Sequence, residues 1–393
     1  MGVAVLVLAA GALVVLVVII GGDGDERPDA RASTAPEGVW RPMSAVPLPS
    51  RILAASAWTG EELVVWGGRG CPAGRCDDET APPFADGAAY DPEADRWRVL
   101  APSPLSARSG AAAAWTGEEL VVWGGRDPTG SLADGAAYDP DADAWRALSP
   151  SPLAPRSAQA TWTGDEVLIW GGTVPGSAGE VAFADGAAYD PDADAWRALS
   201  PSPLAGRFDM VADWVDTELV VWGGRTGAAN LGDGAAYAPA TDTWRSIAPS
   251  PLSARVVRGS WTGAELLIWG GEAGAEALDD GAAYDPRADT WRSLASSPLP
   301  ARRGNAQAWT GEEMLVWGGG GGTGSFFFGT GGAYAPATDT WRELPPSPGR
   351  FIPETVWTGE ELLVWGGIVA SGGHGAPGSI EPALDGVRYD PRP

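Results

Sequence analysis

An all-β ring of seven four-stranded blades is the architecture this sequence predicts, on three observations. The eleven residues WTGEELVVWGG run from Trp58 to Gly68 and return unchanged from Trp115 to Gly125. Variants of the same phrase begin at Trp162, Trp214, Trp261, Trp309 and Trp357, which makes seven copies spaced 47 to 57 residues apart. That period belongs to propellers and related arrays. The 393 residues also include 56 Gly and 35 Pro, which suits short strands joined by turns rather than long helices. Finally, there are 21 Trp, three times the count of either Tyr or Phe, and they fall at fixed offsets within the repeat.

Each unit reads as four strands. The first ends at Trp-Thr-Gly, where glycine supplies the positive φ of a tight hairpin. The second, as in EELVVWGG, ends at a double glycine after Trp66, Trp123, Trp170, Trp222, Trp269, Trp317 and Trp365. The third carries a tyrosine, usually in DGAAYDP: Tyr90, Tyr138, Tyr189, Tyr237, Tyr284, Tyr334 and Tyr389, which are all the tyrosines present. A DPDAD-like turn leads to a fourth strand with Trp-Arg at Trp97, Trp145, Trp196, Trp244, Trp291 and Trp341. A lone four-stranded sheet cannot bury both faces, so aromatics at these offsets require stacked blades.

The double glycine closing the second strand, followed by spaced Tyr and Trp, resembles the kelch repeat family. The resemblance covers residues 38–393 in all seven units, with Trp before Gly-Gly and Trp-Thr-Gly as variants particular to this chain. It implies a seven-bladed β-propeller of the galactose-oxidase-like type. The seventh unit lacks its Trp-Arg, whereas Trp40-Arg41 stands alone before the first unit. The N-terminal stretch is therefore expected to supply the outer strand of blade seven and close the ring. All 21 Trp are then accounted for as scaffold.

The two faces differ. Spacing from Trp-Gly-Gly to Tyr ranges from 15 to 24 residues, while the other spacings within a unit are fixed. Length variation confined to one face, here called the top, often marks a binding face. Phe84, Phe183, Phe326, Phe327 and Phe328 lie in these loops, and Phe208 and Phe351 follow the loops entering the first strand. Packing beneath the loop is the expectation for Phe84 and Phe183. The run Phe326-Phe327-Phe328 among glycines is a candidate hot spot.

One arginine per blade falls at the same edge: Arg51, Arg108, Arg156, Arg207, Arg255, Arg302 and Arg350. The kelch resemblance places it near the channel mouth, where some relatives use it to hold acidic ligands. The competing reading is that it hydrogen-bonds backbone carbonyls between blades. The bottom face holds the TGEE and DPDAD turns and just over half of the 51 acidic residues. Asp139, Asp141 and Asp143 have β-turn rather than calcium-loop spacing.

Catalytic tools are few. His374 is the only histidine, so a copper site like that of galactose oxidase cannot be built, and no metal or cofactor is expected. No lysine is present, which removes Schiff-base chemistry. The first strands are mostly small residues, but Gln159, Asp209, Asp213, Arg258, Asn305, Gln307 and Glu354 depart from that pattern as candidate channel residues. Cys71 and Cys76, in the long top loop of blade one, are expected to form a local disulfide in an oxidising compartment.

Val3 to Ile20 is an uncharged apolar run of roughly 27 Å if helical, just long enough for a bilayer core. An uncleaved anchor at 1–22 is expected ahead of a polar linker at 23–37, with a cleavable signal peptide as the rival. Arg27 and Arg31 after the run formally favour a cytoplasmic C-terminus, against the extracytoplasmic placement the disulfide suggests. The absence of lysine alongside heavy Ala, Gly, Asp and Pro suggests a GC-rich bacterial genome. The net charge of −25 argues against nucleic acid. The resulting expectation is an anchored monomeric propeller that binds a protein or glycan ligand on its top face. The alternative is a carbohydrate-active epimerase or lyase using Asp209 or Glu354.

Overall fold

The second strand of each unit sets the architecture. In blade one Leu63–Trp66 is buried at every position, because this sheet packs against a neighbour on both faces. The same all-buried run recurs at Leu120–Trp123, Val167–Trp170, Leu266–Trp269, Met314–Trp317 and Leu362–Trp365. The computed structural model describes residues 37–70, 81–177, 179–227, 229–321, 327–371, 379–383 and 385–392. Among these, seven four-stranded antiparallel sheets form the blades of a propeller. Blade one comprises Ala55–Trp58, Leu63–Trp66, Gly87–Asp91 and Arg96–Val99 in sequential order.

Blade seven closes the ring as expected. Its inner three strands are Glu354–Trp357, Leu362–Trp365 and Gly386–Asp390, and Val39–Pro42 pairs with the last of these. Trp40 lies opposite Tyr389 in register, its ring 5.0 Å from that tyrosine and 4.8 Å from Trp317 of blade six. Its indole N–H donates to the carbonyl of Pro345 at 2.8 Å.

The tryptophans interlock adjacent blades. Trp66 packs 5.5 Å from Trp145 of the next blade, whose indole donates back to Ala101 O at 3.1 Å. Trp145 also tilts against Tyr138 on the neighbouring strand at 5.0 Å. On the bottom face the second acid of each TGEE-like turn receives the Arg of Trp-Arg, as in Glu62–Arg98 and Glu119–Arg146, both at 2.5 Å. Arg98 donates onward to Tyr138 Oη of the next blade at 2.8 Å, and Tyr138 donates to Asp143 at 2.7 Å. The acids of this face are thus partly neutralised by a ring of ion pairs. Asp139 caps the N–H groups of Asp141 and Ala142, so this acidic stretch is a turn.

The top loops carry more order than the repeat pattern shows. Short hairpins rise from blades two, three, four, five and seven, among them the pairing of Thr173–Gly176 with Gly179–Ala182. No helix among the described residues is long and apolar enough to cross a membrane. The anchor, the linker up to residue 36, Cys71, Cys76, Phe326 and His374 lie outside the described residues.

Candidate functional site at the channel mouth

The double glycine explains the repeated arginine. Gly68 has φ of 86°, and a Cβ there would sit 2.9 Å from the carbonyl of Ile52, so only glycine fits. Its N–H donates to Arg108 O of the next blade at 2.8 Å, and the equivalent bond joins Gly125 to Arg156 at 2.9 Å. The guanidinium of Arg108 turns back into its own blade, meeting Gly124 O at 3.1 Å and Asp134 at 2.8 Å. Arg108, Arg156, Arg207, Arg255, Arg302 and Arg350 therefore each link two blades, through the peptide to one and the side chain to the other. Arg51, Arg108, Arg156, Arg207, Arg255, Arg302 and Arg350 are at most 2 % exposed, and every one donates to the first glycine's carbonyl. The guanidinium groups bond carbonyls of their own blade, and in six blades an aspartate as well, so the side chains do not bridge blades, contrary to the competing reading.

Arg302 is the variant. Thr330 stands where other blades have aspartate, and burial without a carboxylate partner pushes its pKa down to about 10. In blades with the aspartate, the arginine holds that carboxyl below its ordinary value, as at Asp134, Asp185 and Asp280.

The phenylalanines follow the arginines. Phe84 covers the Arg51 guanidinium at 4.3 Å, Phe183 covers Arg156 at 3.7 Å, and Phe328 covers Arg302 at 4.6 Å. These three occupy one repeat position, filled by Leu132, Leu231 and Leu278 in other blades, and its N–H always donates to the second glycine's carbonyl. The signal was present three residues before each GAAY-like strand, masked by the exchange of Phe for Leu. Phe327 stacks on Phe351 at 5.3 Å and packs with Ile52 and Ile368, and Phe208 is buried. Phe327 and Phe328 are thus half-buried packing residues.

The first strands line the channel, and their departures from small residues gather at its top. Gln159, Asp209, Arg258, Asn305 and Glu354 line one cavity of about 290 Å³, together with apolar Leu53, Val257, Phe351 and Ile352. Arg258 is exposed, and no hydrogen bond or ion pair joins it to a described residue. Asp209 accepts from Arg225 at 2.9 Å and Glu354 from Ser56 at 2.8 Å, while Asn305 reaches only Ala306 O at 3.3 Å. Leu53, Asp209 and Ile352 hold left-handed backbones with φ of 55°, 54° and 46°. For a β-branched residue such as Ile352 that conformation is strained. Gly110 and Gly304 hold the same repeat position, two residues after the arginine, with φ of 63° and 59°.

Deeper on the same strands, Oδ2 of Asp213 is buried with no partner among the described residues. Burial drives its pKa up to about 6 despite the charge of Arg258. Burial raises Glu354 as well, against Arg258 and the Ser56 hydrogen bond.

The KLHDC2/KLHL20/DRC7 Kelch-repeats domain matches residues 157–367, from the start of blade three into blade seven. The chain belongs to the kelch-repeat family. No curated protein matches it significantly. Within this kelch propeller no group of three or more His, Cys, Asp or Glu able to hold a metal ion is present among the described residues.

The Asp213 environment has a measurable consequence. Its folded pKa lies above the unfolded value of about 3.9, so its stabilising contribution is complete below that value. The contribution is lost as pH rises through about 6. Asp213→Asn in the kelch propeller is expected to gain about 3 kcal/mol over wild type at pH 8 and under about 1 kcal/mol at pH 4. Urea unfolding at the two pH values checks this, and Glu354, present in both proteins, cancels in the difference. Equal gains at both would contradict the assignment.

Proposed function

We propose that this kelch propeller is a binding module that engages a protein or glycan ligand at the top of its channel, held at a membrane by residues 3–20. The observation that carries the reading is Arg258. In a ring whose repeated arginines are buried and bonded, it is an exposed cation with no ion pair among the described residues, set in the cavity where the repeat breaks down. Strained backbone at Leu53 and Ile352 supports a functional rim, since such strain persists where surrounding structure enforces it and clusters at ligand sites. An extracytoplasmic propeller with a Cys71–Cys76 disulfide belongs to the same reading. Capture from native cell envelopes tests it. Wild type and Glu118→Gln on the bottom face retain the ligand, and Arg258→Glu loses it. Loss in Glu118→Gln with retention in Arg258→Glu would place the site on the wrong face. Glu118 is the suitable control because it is exposed, whereas Glu119 pairs with Arg146.

One observation favours an enzyme reading. Asp213 and Glu354 are desolvated channel carboxylates coupled to the same arginine, and raised carboxyl groups serve as general acids near neutral pH. Asp209, ion-paired with Arg225 at the rim, fits that role less well. Turnover of a glycan that disappears in both Asp213→Asn and Glu354→Gln would establish this reading.

A further inference from the structure

We infer that the channel mouth holds a small apolar monocarboxylate, its carboxylate on Arg258 and Asn305 and its apolar body against Leu53, Phe351 and Ile352. This rests on the binding reading of the same site and goes beyond it, from a macromolecular ligand to a small acid.

The charges that line the cavity select the sign of the ligand. Asp209 pairs with Arg225 at 2.9 Å, and Glu272 pairs with Arg303, so each couple sums to zero. Glu354 accepts the Ser56 hydroxyl at 2.8 Å, and burial disfavours its charged form. Arg258 is left as a cation with no ion pair among the described residues. An anion completes it, whereas a cation would face Arg258 with Asp209 and Glu272 already paired. Asn305, in the same lining, is 8 % exposed, and its side-chain nitrogen makes one hydrogen bond, to Ala306 O at 3.3 Å. An amide carries two N–H donors, so one is left for a carboxylate oxygen.

The rim selects an apolar body. Leu53 and Ile352 hold left-handed backbones, with φ of 55° and 46°, at the repeat position that Gly110 and Gly304 occupy without steric cost. Leu53 is 41 % exposed. Two bulky apolar side chains kept at a glycine position, around one mouth, supply a surface that glycine would not. Met210, Val257 and Phe351 continue that surface into the cavity. Its volume of about 290 Å³ sits at the small end of ligand pockets, commonly about 300–1,000 Å³, and suits one ring with its carboxylate.

Titration calorimetry of the full chain, at about pH 5 in a carboxylate-free buffer, compares benzoate and phenylacetate with phenylacetamide, phenethylamine and acetate. Asp213 acts on Arg258 from outside this lining and, with its pKa raised to about 6, is mostly protonated under these conditions. At least one aromatic acid is expected to bind saturably at millimolar concentration, about tenfold more tightly than the amide or acetate. Arg258→Ala should weaken it about tenfold, the worth of one charge-assisted hydrogen bond. Leu53→Gly should weaken it severalfold with the fold intact, since glycine suits the left-handed backbone. Glu354→Gln should leave it at least as tight, because the carboxyl removed could only repel an acid. Equal binding of the amide or the amine overturns the charge, and equal binding of acetate overturns the apolar body. Acid binding that neither Arg258→Ala nor Leu53→Gly weakens overturns the location. If no acid binds while envelope capture still depends on Arg258, the small-acid inference falls and the binding reading stands. If capture is also independent of Arg258, both fall.

Discussion

Deletion of residues 37–47 is expected to open the ring, so that unfolding loses its single cooperative transition and the protein associates. Val39–Pro42 is the outer strand of blade seven, joined to Gly386–Asp390 along its whole length. Without it, that strand exposes unpaired backbone groups, the usual template for edge-to-edge association. Trp40 fills the contact between blades six and seven, and Tyr389 Oη donates to Glu37 O at 2.8 Å. Met43, 5 % exposed, continues the seam into blade one's packing cluster. Trp40→Ala alone should cost about 3 kcal/mol, as large-to-small changes at packed aromatics do. Urea unfolding followed by tryptophan fluorescence, with size-exclusion chromatography alongside, measures both effects. An unchanged midpoint and slope in a monodisperse deletion variant would contradict the role of this strand.

The ring and its closure were legible because each blade repeats the same physical requirements. Gly68 and its counterparts need positive φ beside a neighbouring carbonyl, Trp66 must fill a gap between sheets, and Trp40-Arg41 was the missing member of a series. The site was legible in part. Gln159, Asp209, Arg258, Asn305 and Glu354 stood out as large polar residues in strands otherwise built of alanine, and the fold brings them to one cavity. The repeated arginines were legible by position but ambiguous in role. Arginine suits both carboxylate ligands and backbone carbonyls, and only burial separates the two. Phe84, Phe183 and Phe328 stood outside the repeat pattern because Leu132, Leu231 and Leu278 hold the same backbone position, bonded to the second glycine, in other blades. Leu53 and Ile352 hold their left-handed backbones two residues after the repeated arginine, where Gly110 and Gly304 have φ of 63° and 59°. Glycine marks that position in blades two and six, and larger side chains conceal it in blades one and seven.

Arg156→Ala is expected to lose about 3 kcal/mol of stability. Arg156 is fully buried, donates to Gly171 O at 3.2 Å, pairs with Asp185 at 2.7 Å and carries Phe183 over its guanidinium at 3.7 Å. Its removal leaves a buried carbonyl without a donor and a gap beneath the ring of Phe183. Asp185 is 59 % exposed and stays hydrated, which keeps the loss below that of a fully buried ion pair. Arg258→Ala removes the same side chain from an exposed position with no bonded partner among the described residues. At about pH 5 the raised carboxyl of Asp213 is mostly protonated and gains little from that charge, so stability should change by no more than about 1 kcal/mol. Urea unfolding of the two variants side by side is the most direct test of the division between scaffold arginines and a site arginine. The expected result is a large loss for Arg156→Ala and a near-native midpoint for Arg258→Ala. A near-native Arg156→Ala beside an unfolded Arg258→Ala would contradict it.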